Sequence, residues 1–173
     1  MYKRQHETRE DASLSGRGLA RFAAAEEMAD VMMAELLPRA DIITPNHYEL
    51  SWLAGRDVGG QDDSARAAGD LIDRYGLKAV VTTGVAGDDR TGDLLVTADD
   101  GTHWQAAGDA GKNVAGGGDL LTALLAGMLN LGCQLPDAFK AASHTAQSII
   151  AASPDGRDLA LLESLETVRA LAR

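Results

Sequence analysis

Two short runs constrain this chain more than anything else in it. Ala40-Asp41-Ile42-Ile43-Thr44 and Ala79-Val80-Val81-Thr82-Thr83 are rich in β-branched residues and are stopped by Pro45 and Gly84. Their apolar cores read as buried strands, and a strand apolar on both faces needs helices over both. Between them, Tyr48 to Leu53 predicts a short helix closed by Gly55. A longer helix follows, capped by Asp62-Asp63-Ser64 and running to about Tyr75, with Gly76 as its stop. Strand, helix and strand in that order imply a right-handed crossover. The expected fold class is α/β, a three-layer α-β-α sandwich around a mostly parallel sheet.

The flanking segments fit that plan. From Leu19 to Leu37, the residues Phe22, Met28, Val31, Met32 and Leu36 fall at helical spacing, and Pro38 ends the helix. Asp93 to Ala98 and Thr102 to Ala106 alternate about Asp99-Asp100-Gly101, a hairpin pattern. Gly116-Gly117-Gly118 leads into an apolar helix from Asp119 to Leu131, stopped by Gly132. Pro136-Asp137 opens another to about Ala152, and Asp158 caps a last one. No linker divides residues 19–173, so they are expected to form one domain. Residues 1–18 carry neither period. They read either as an ordinary disordered terminus or as a foreign pentapeptide, Met1-Tyr2-Lys3-Arg4-Gln5, fused to a truncated reading frame.

Charge and cysteine usage exclude several functions. A net charge of -10 over 173 residues argues against sequence-independent nucleic-acid binding and against anionic membranes. The charged start lacks the apolar stretch of a signal peptide, and the apolar run Leu120 to Leu131 is too short to span a bilayer. The single Cys133 rules out an internal disulfide and a cysteine-based zinc site. A cytoplasmic location is expected. His6, His47, His103 and His144 are not spaced as a metal pair, and only His47 lies near a predicted site.

Ligands of open α/β sheets bind beyond the carboxyl ends of the strands. That rule selects Thr44 to Glu49, Thr82-Thr83-Gly84, and the glycine turn before Asp119. Glycines let backbone approach a ligand, and the helix after them aims free N–H groups and a positive dipole end at an anion. An acidic protein can hold a phosphate in this way. Asp119 reads equally as a favourable helix-start residue and as a base beside the anion hole. Asn46 and Glu49, three apart, read as a turn and cap or as a water-mediated Mg²⁺ site. Thr82 and Thr83 suit a strand whatever else they do. Lys112 precedes the glycine turn as a loop lysine, and Trp52 and Trp104 read as packing residues. The G-x-x-x-x-G-K-[ST] phosphate loop is absent.

In combination these segments resemble the ribokinase-like superfamily, most closely its pyridoxal kinase branch. Asp41-Ile42-Ile43-Thr44-Pro45-Asn46-His47-Tyr48-Glu49-Leu50, then Leu53-Ala54-Gly55-Arg56, resembles a "TPN..E...L.GR" segment. Val80-Val81-Thr82-Thr83 resembles "VVxTS", and Leu94-Leu95-Val96-Thr97 resembles "LLVT". Gly116-Gly117-Gly118-Asp119-Leu120, continuing to Leu125, resembles the "GTGDLxxALL" signature, with Gly117 in place of the usual threonine or valine. The similarity covers roughly residues 19 to 155.

The resemblance implies ATP-dependent phosphorylation of the 5′-hydroxymethyl group of pyridoxal, pyridoxine or pyridoxamine, with Mg²⁺ as cofactor and a homodimer for the full-length form. It assigns Asp119 as catalytic base and Gly116, Gly117 and Gly118 as anion hole. It sets Thr82 and Thr83 near the ATP phosphates, and Thr44, Asn46 and Glu49 in the Mg²⁺ region. Members of the branch begin with further strands and a "DPVxGD" segment that have no counterpart here, so the chain reads as the nucleotide-binding half. The nearest rival, hydroxymethylpyrimidine kinase, usually has Cys where Asp119 stands. Sugar kinases with "NxxE" and "GAGD" fit Pro45 and the hairpin less well. A non-catalytic nucleotide-binding fragment is the reading from a different class.

Overall fold

The computed structural model describes residues 29–99, 101–107, 114–154, 159–161 and 164–170. The readings of residues 1–18, of the helix start at Leu19, of Lys112 and of Asp158 lie outside them. A helical segment at residues 29–39 passes through a π turn at Met32–Leu36 and ends in a 3-10 turn at Leu37–Arg39. It thus outlasts Pro38 by one residue, because a proline in the first turn of that last piece has no N–H to satisfy.

Strand β1 (Ile42–Ile43) is followed by α1 (His47–Ala54), α2 (Gln61–Tyr75), β2 (Ala79–Ala86), β3 (Thr91–Thr97) and β4 (Gly101–Ala106). Helices α3 (Gly117–Asn130), α4 (Leu135–Ala152) and α5 (Leu165–Ala170) complete the order. Gly55 and Gly76 end α1 and α2 in the left-handed conformation, at φ 68° and 69°. The cap expected of Asp62-Asp63-Ser64 is not made. Gly60 is the N-cap of α2, and Asp63 instead accepts from the Gly59 N–H and from Arg56, both at 2.9 Å.

The four described strands form one sheet in the order β1-β2-β3-β4. β1 and β2 are parallel, as the crossover requires, pairing Ile42 with Ala79 and Ile43 with Val80. The expectation of a mostly parallel sheet needs correction here, since β2–β3 and β3–β4 are antiparallel. The connections after β2 and β3 are hairpin turns, too short to carry a strand back in the same sense.

The fold class stands, because helices cover both faces. Leu50 of α1 and Leu71 and Ile72 of α2 pack on Val80, Val85, Leu94 and Val96. Leu121, Leu124 and Leu125 of α3 and Phe139 and Ala142 of α4 pack on Ala79, Val81 and Leu95. Each fully buried Leu or Phe of these layers contributes about 1.5–3 kcal/mol of hydrophobic stabilisation.

One local feature of β2 positions the site. The strand was expected to end at Gly84 but continues to Ala86. Its register against β3 shifts between Thr82, opposite Leu94, and Val85, opposite Gly92. Three steps on β2 therefore match two on β3, the signature of a bulge, and Gly84 takes φ 69° there. The extra residue reverses the alternation, so that Val85 joins Val80 on the α1/α2 face. At Gly92 a Cβ would lie 2.6 Å from the Trp104 ring and 2.5 Å from the Gln105 carbonyl, so only glycine fits beneath the indole.

Candidate active site

Helix α3 begins earlier than the sequence suggests. Only Gly116 forms the turn, as a left-handed N-cap at φ 89°, and Gly117 and Gly118 are already helical. The first bond within the helix runs from the Leu120 N–H to the Gly116 carbonyl at 2.9 Å. The N–H groups of Gly117, Gly118 and Asp119 precede it and lack an acceptor within the helix. A Cβ on Gly117 would come within 3.0 Å of Ile150 Cδ1, so the glycine brings α4 against the turn. Asp119 is exposed in the first turn of the helix.

The ends of β1 and β2 are tied to this helix start and to each other. Thr44 Oγ1 and Thr122 Oγ1 are 2.9 Å apart, and Thr122 donates to the Gly118 carbonyl at 2.8 Å. With the Thr122 proton so used, the Thr44 hydroxyl is the donor between the two. The Thr83 N–H donates to the Pro45 carbonyl at 3.1 Å, and Asn46 and Thr83 form a parallel bridge beyond β1. The three segments selected from the sequence thus meet along one edge of the sheet.

Thr83 and Gly84 of β2 face Gly117 and Gly118 of α3 across a cleft of about 200 Å³, with Asp93 and Gln147 also on its wall. Thr82 does not share it. It is fully buried on the α1/α2 face, and its Oγ1 has no hydrogen-bond partner. The assignment of Thr82 to a phosphate is therefore corrected: the pleat sends its side chain into the core, and Thr83 is the threonine that reaches the cleft. A roomier hollow of about 410 Å³ lies between the 29–39 segment and α1, lined by Met32, Leu36, Ile43, Trp52 and, at its polar side, Thr44 and Glu49. It is apolar, and at the turn of α1 that borders it the Glu49 N–H is already taken by Asn46, so the uncapped start of α3 makes the smaller cleft the better anion site.

Asn46 and Glu49 form a reciprocal capping box at the start of α1. Asn46 Oδ1 accepts from the Glu49 N–H at 2.9 Å, and Glu49 Oε2 accepts from the Asn46 N–H at 2.8 Å. Both side chains remain exposed, and only Oε2 of Glu49 takes part in the capping box. No group of three or more His, Cys, Asp or Glu side chains is gathered for a metal among the described residues. One exposed carboxylate suits an ion that keeps most of its waters and takes further oxygens from a bound phosphate, as Mg²⁺ does. The residues therefore fit a water-mediated ion and not an all-protein cage.

The three described histidines stay outside this chemistry. His47 Nε2 is 2.7 Å from the Gly59 carbonyl, strapping α1 to the loop before α2. His144 is exposed on α4, and His103 Nε2 is buried on β4 without a partner. Trp104 packs on the core beside the hairpin, and Cys133 packs against the α3/α4 layer.

Sequence reasoning missed Asp93. It was read only as part of a hairpin strand, yet it is 8% exposed at the cleft wall. Burial pushes its carboxyl above the usual range, while hydrogen bonds from Ser143 and Gln147 pull it back in part. The available signal was its parity: Asp93 shares a face with Leu95, where an apolar residue belongs.

Known proteins agree with this architecture. The chain is 38% identical over 96 residues to the bifunctional protein HldE of Acidiphilium cryptum, covering 56% of this chain and 19% of that protein. It is 33% identical over 127 residues to the pyridoxal kinase PdxY of Rubrobacter xylanophilus, covering 69% of this chain and 41% of that one. The crystal structure of pyridoxal kinase from Entamoeba histolytica superposes with a TM-score of 0.70 at 24% identity, over 80% of this chain and 50% of that chain. The chain thus spans half or less of each. The family model described as phosphomethylpyrimidine kinase matches residues 17–159, and the chain belongs to that family of ribokinase-like α/β proteins.

Proposed function

We propose that the protein transfers the γ-phosphoryl group of ATP to the 5′-hydroxymethyl group of pyridoxal or a related B6 vitamer. The observation that carries this reading is the cleft in which the start of α3, at Gly117 and Gly118, opposes Thr83 and Gly84, with Asp119 exposed next along the same first turn. Backbone N–H groups at a helix start hold phosphate oxygens without requiring a basic surface. The Thr83 hydroxyl adds a side-chain donor opposite them.

Transfer breaks the bond between the γ-phosphorus and its bridging oxygen and forms one to the vitamer oxygen. The hydroxyl proton passes to the Asp119 carboxylate, and the leaving diphosphate keeps the electron pair. The dipole of α3 and its N–H groups stabilise the charge that accumulates on the transferred group. Glu49 and Asn46 would hold a Mg²⁺ ion through water, and the ion would supply charge neutralisation on the phosphates.

Asp119 favours a vitamer kinase over a hydroxymethylpyrimidine kinase, in which a cysteine usually stands there by resemblance. The test is a phosphorylation assay on a full-length version of the protein with pyridoxal and hydroxymethylpyrimidine as competing acceptors. Preferential formation of pyridoxal 5′-phosphate, lost in Asp119→Asn, supports the reading. Preference for the pyrimidine, or transfer that survives Asp119→Asn, overturns it.

A further inference from the structure

Two aliphatic side chains pack where the glycine turn before α3 has none of its own. Ile150 Cδ1 lies 3.0 Å from where a Cβ of Gly117 would stand, and Leu159 Cδ1 lies 3.4 Å from where a Cβ of Gly116 would stand. Ile150 is in the last turn of α4, and Leu159 belongs to the segment 159–161 beyond that helix. Ser153, the C-cap of α4, is fully buried between them in sequence. Its backbone N–H donates to the Ile150 carbonyl at 3.1 Å, and its hydroxyl donates to the Ile149 carbonyl at 2.7 Å. The same hydroxyl oxygen accepts from the Ala160 N–H at 2.9 Å. One side chain thus fastens the residue after Leu159 to the helix end that carries Ile150.

We propose that Ser153 is a positioning residue for the turn that opens α3, seating Leu159 on Gly116 and Ile150 on Gly117. Glycine has the widest choice of backbone angles, so neighbours packed on it must narrow that choice. Here the choice matters, because Gly116 is held at φ 89° and the N–H groups that follow it are the ones offered to an anion. A serine hydroxyl donates one proton and accepts through its lone pairs, so it can serve the Ile149 carbonyl and the Ala160 N–H at once. Alanine would keep the packing of a small side chain and leave both backbone groups without that partner. For its effect on affinity the proposal rests on the nucleotide reading above.

The experiment uses the 173-residue chain, with wild type, Ser153→Ala and Leu159→Ala compared. Amide hydrogen exchange at Ala160 reads the tie. Exchange at Leu120, whose N–H donates to the Gly116 carbonyl at 2.9 Å, reads the turn. The Leu95 amide of β3, a strand paired on both sides, reads global opening. Calorimetric titration with the magnesium complex of a non-hydrolysable ATP analogue reads phosphate binding. In Ser153→Ala, exchange at Ala160 and Leu120 is expected to speed by roughly 2- to 10-fold more than at Leu95, the factor that one hydrogen bond carries. Nucleotide affinity is expected to fall by a similar factor. Leu159→Ala keeps the Ser153 hydroxyl and removes the contact on Gly116, so it is expected to speed Leu120 exchange likewise. It carries the test if Ser153→Ala does not fold. Leu120 exchange that speeds no more than Leu95 exchange in the folded variants overturns the proposal, because the residues are then structural only. Unchanged affinity in a variant whose turn has loosened overturns it too. If the wild type binds no nucleotide while Leu120 responds as expected, the nucleotide reading falls and the positioning of the turn by Ser153 stands.

Discussion

The hydroxyl of Thr44, at the end of β1, donates across 2.9 Å to that of Thr122, one turn into α3. Seventy-eight positions apart in sequence, the two residues fasten the strand edge to the helix whose start is the proposed anion hole. Thr122 passes the chain of hydrogen bonds on to the Gly118 carbonyl.

Thr44→Val should therefore destabilise the chain by about 0.5–1.5 kcal/mol, the net worth of one hydrogen bond. Thr122→Val should cost a similar amount, and the double variant less than the sum, because each single change already breaks the same bond. Urea denaturation of the four proteins measures the coupling. Additive losses would mean that the two hydroxyls act independently.

Thr82 gives the opposite expectation. Its hydroxyl is fully buried and unpaired, so Thr82→Val keeps the shape and removes an unsatisfied group. Stability should rise by about 1 kcal/mol or more, with nucleotide affinity unaltered, since Thr82 does not reach the cleft. A loss of affinity in this variant would restore Thr82 to the site.

The observed capping role of Glu49 is separable from its proposed role toward Mg²⁺. Glu49→Gln should leave stability nearly unchanged, since Gln also completes a capping box. In a full-length version of the enzyme, the same change should raise the Mg²⁺ concentration needed for half-maximal activity more than it alters the KM for pyridoxal. An unaltered Mg²⁺ dependence would confine Glu49 to its cap.

The acid limb of stability should carry the mark of Asp63. The Arg56 hydrogen bond, followed by the Gly59 N–H, holds its carboxyl at about 2, below its ordinary 3.8. A depressed pKa contributes stability that is present above the ordinary value and lost as pH falls from 3.8 toward 2. Asp93 runs the other way. Its raised pKa favours the folded state at low pH, and that contribution fades as pH rises through the folded value. Denaturant melts as a function of pH should show a shallower acid loss in Asp63→Asn than in wild type. An acid limb unchanged by Asp63→Asn would contradict the assignment.

How much of this was legible in the sequence differs from residue to residue. Gly55 and Gly76 announced their helix ends because a left-handed cap is a local requirement. Asn46 and Glu49 announced a shared face, and the capping box is the local half of what that spacing can mean. Gly84 was legible as a backbone punctuation mark, but a left-handed glycine serves a bulge as well as a strand end. Which of the two it serves depends on the pairing with β3. The parity of Thr82 and Thr83 depends on the same pairing, and so only their neighbourhood was readable. Asp93 was missed because its donors come from Ser143 and Gln147, fifty or more residues later, and a polar residue in a hairpin reads as solvent-facing.

Binding of phosphate by the N–H groups that open α3 is the central claim. Titrating the isotopically labelled chain with the magnesium complex of a non-hydrolysable ATP analogue, and following the backbone amides by NMR, tests it. The account predicts saturable shifts at Gly117, Gly118 and Asp119, with Thr83 and Gly84 moving alongside, and no comparable change at exposed His144 on α4. Resonances of Gly117 and Gly118 that stay fixed while nucleotide binding is registered elsewhere, or that stay fixed at millimolar nucleotide, would contradict it.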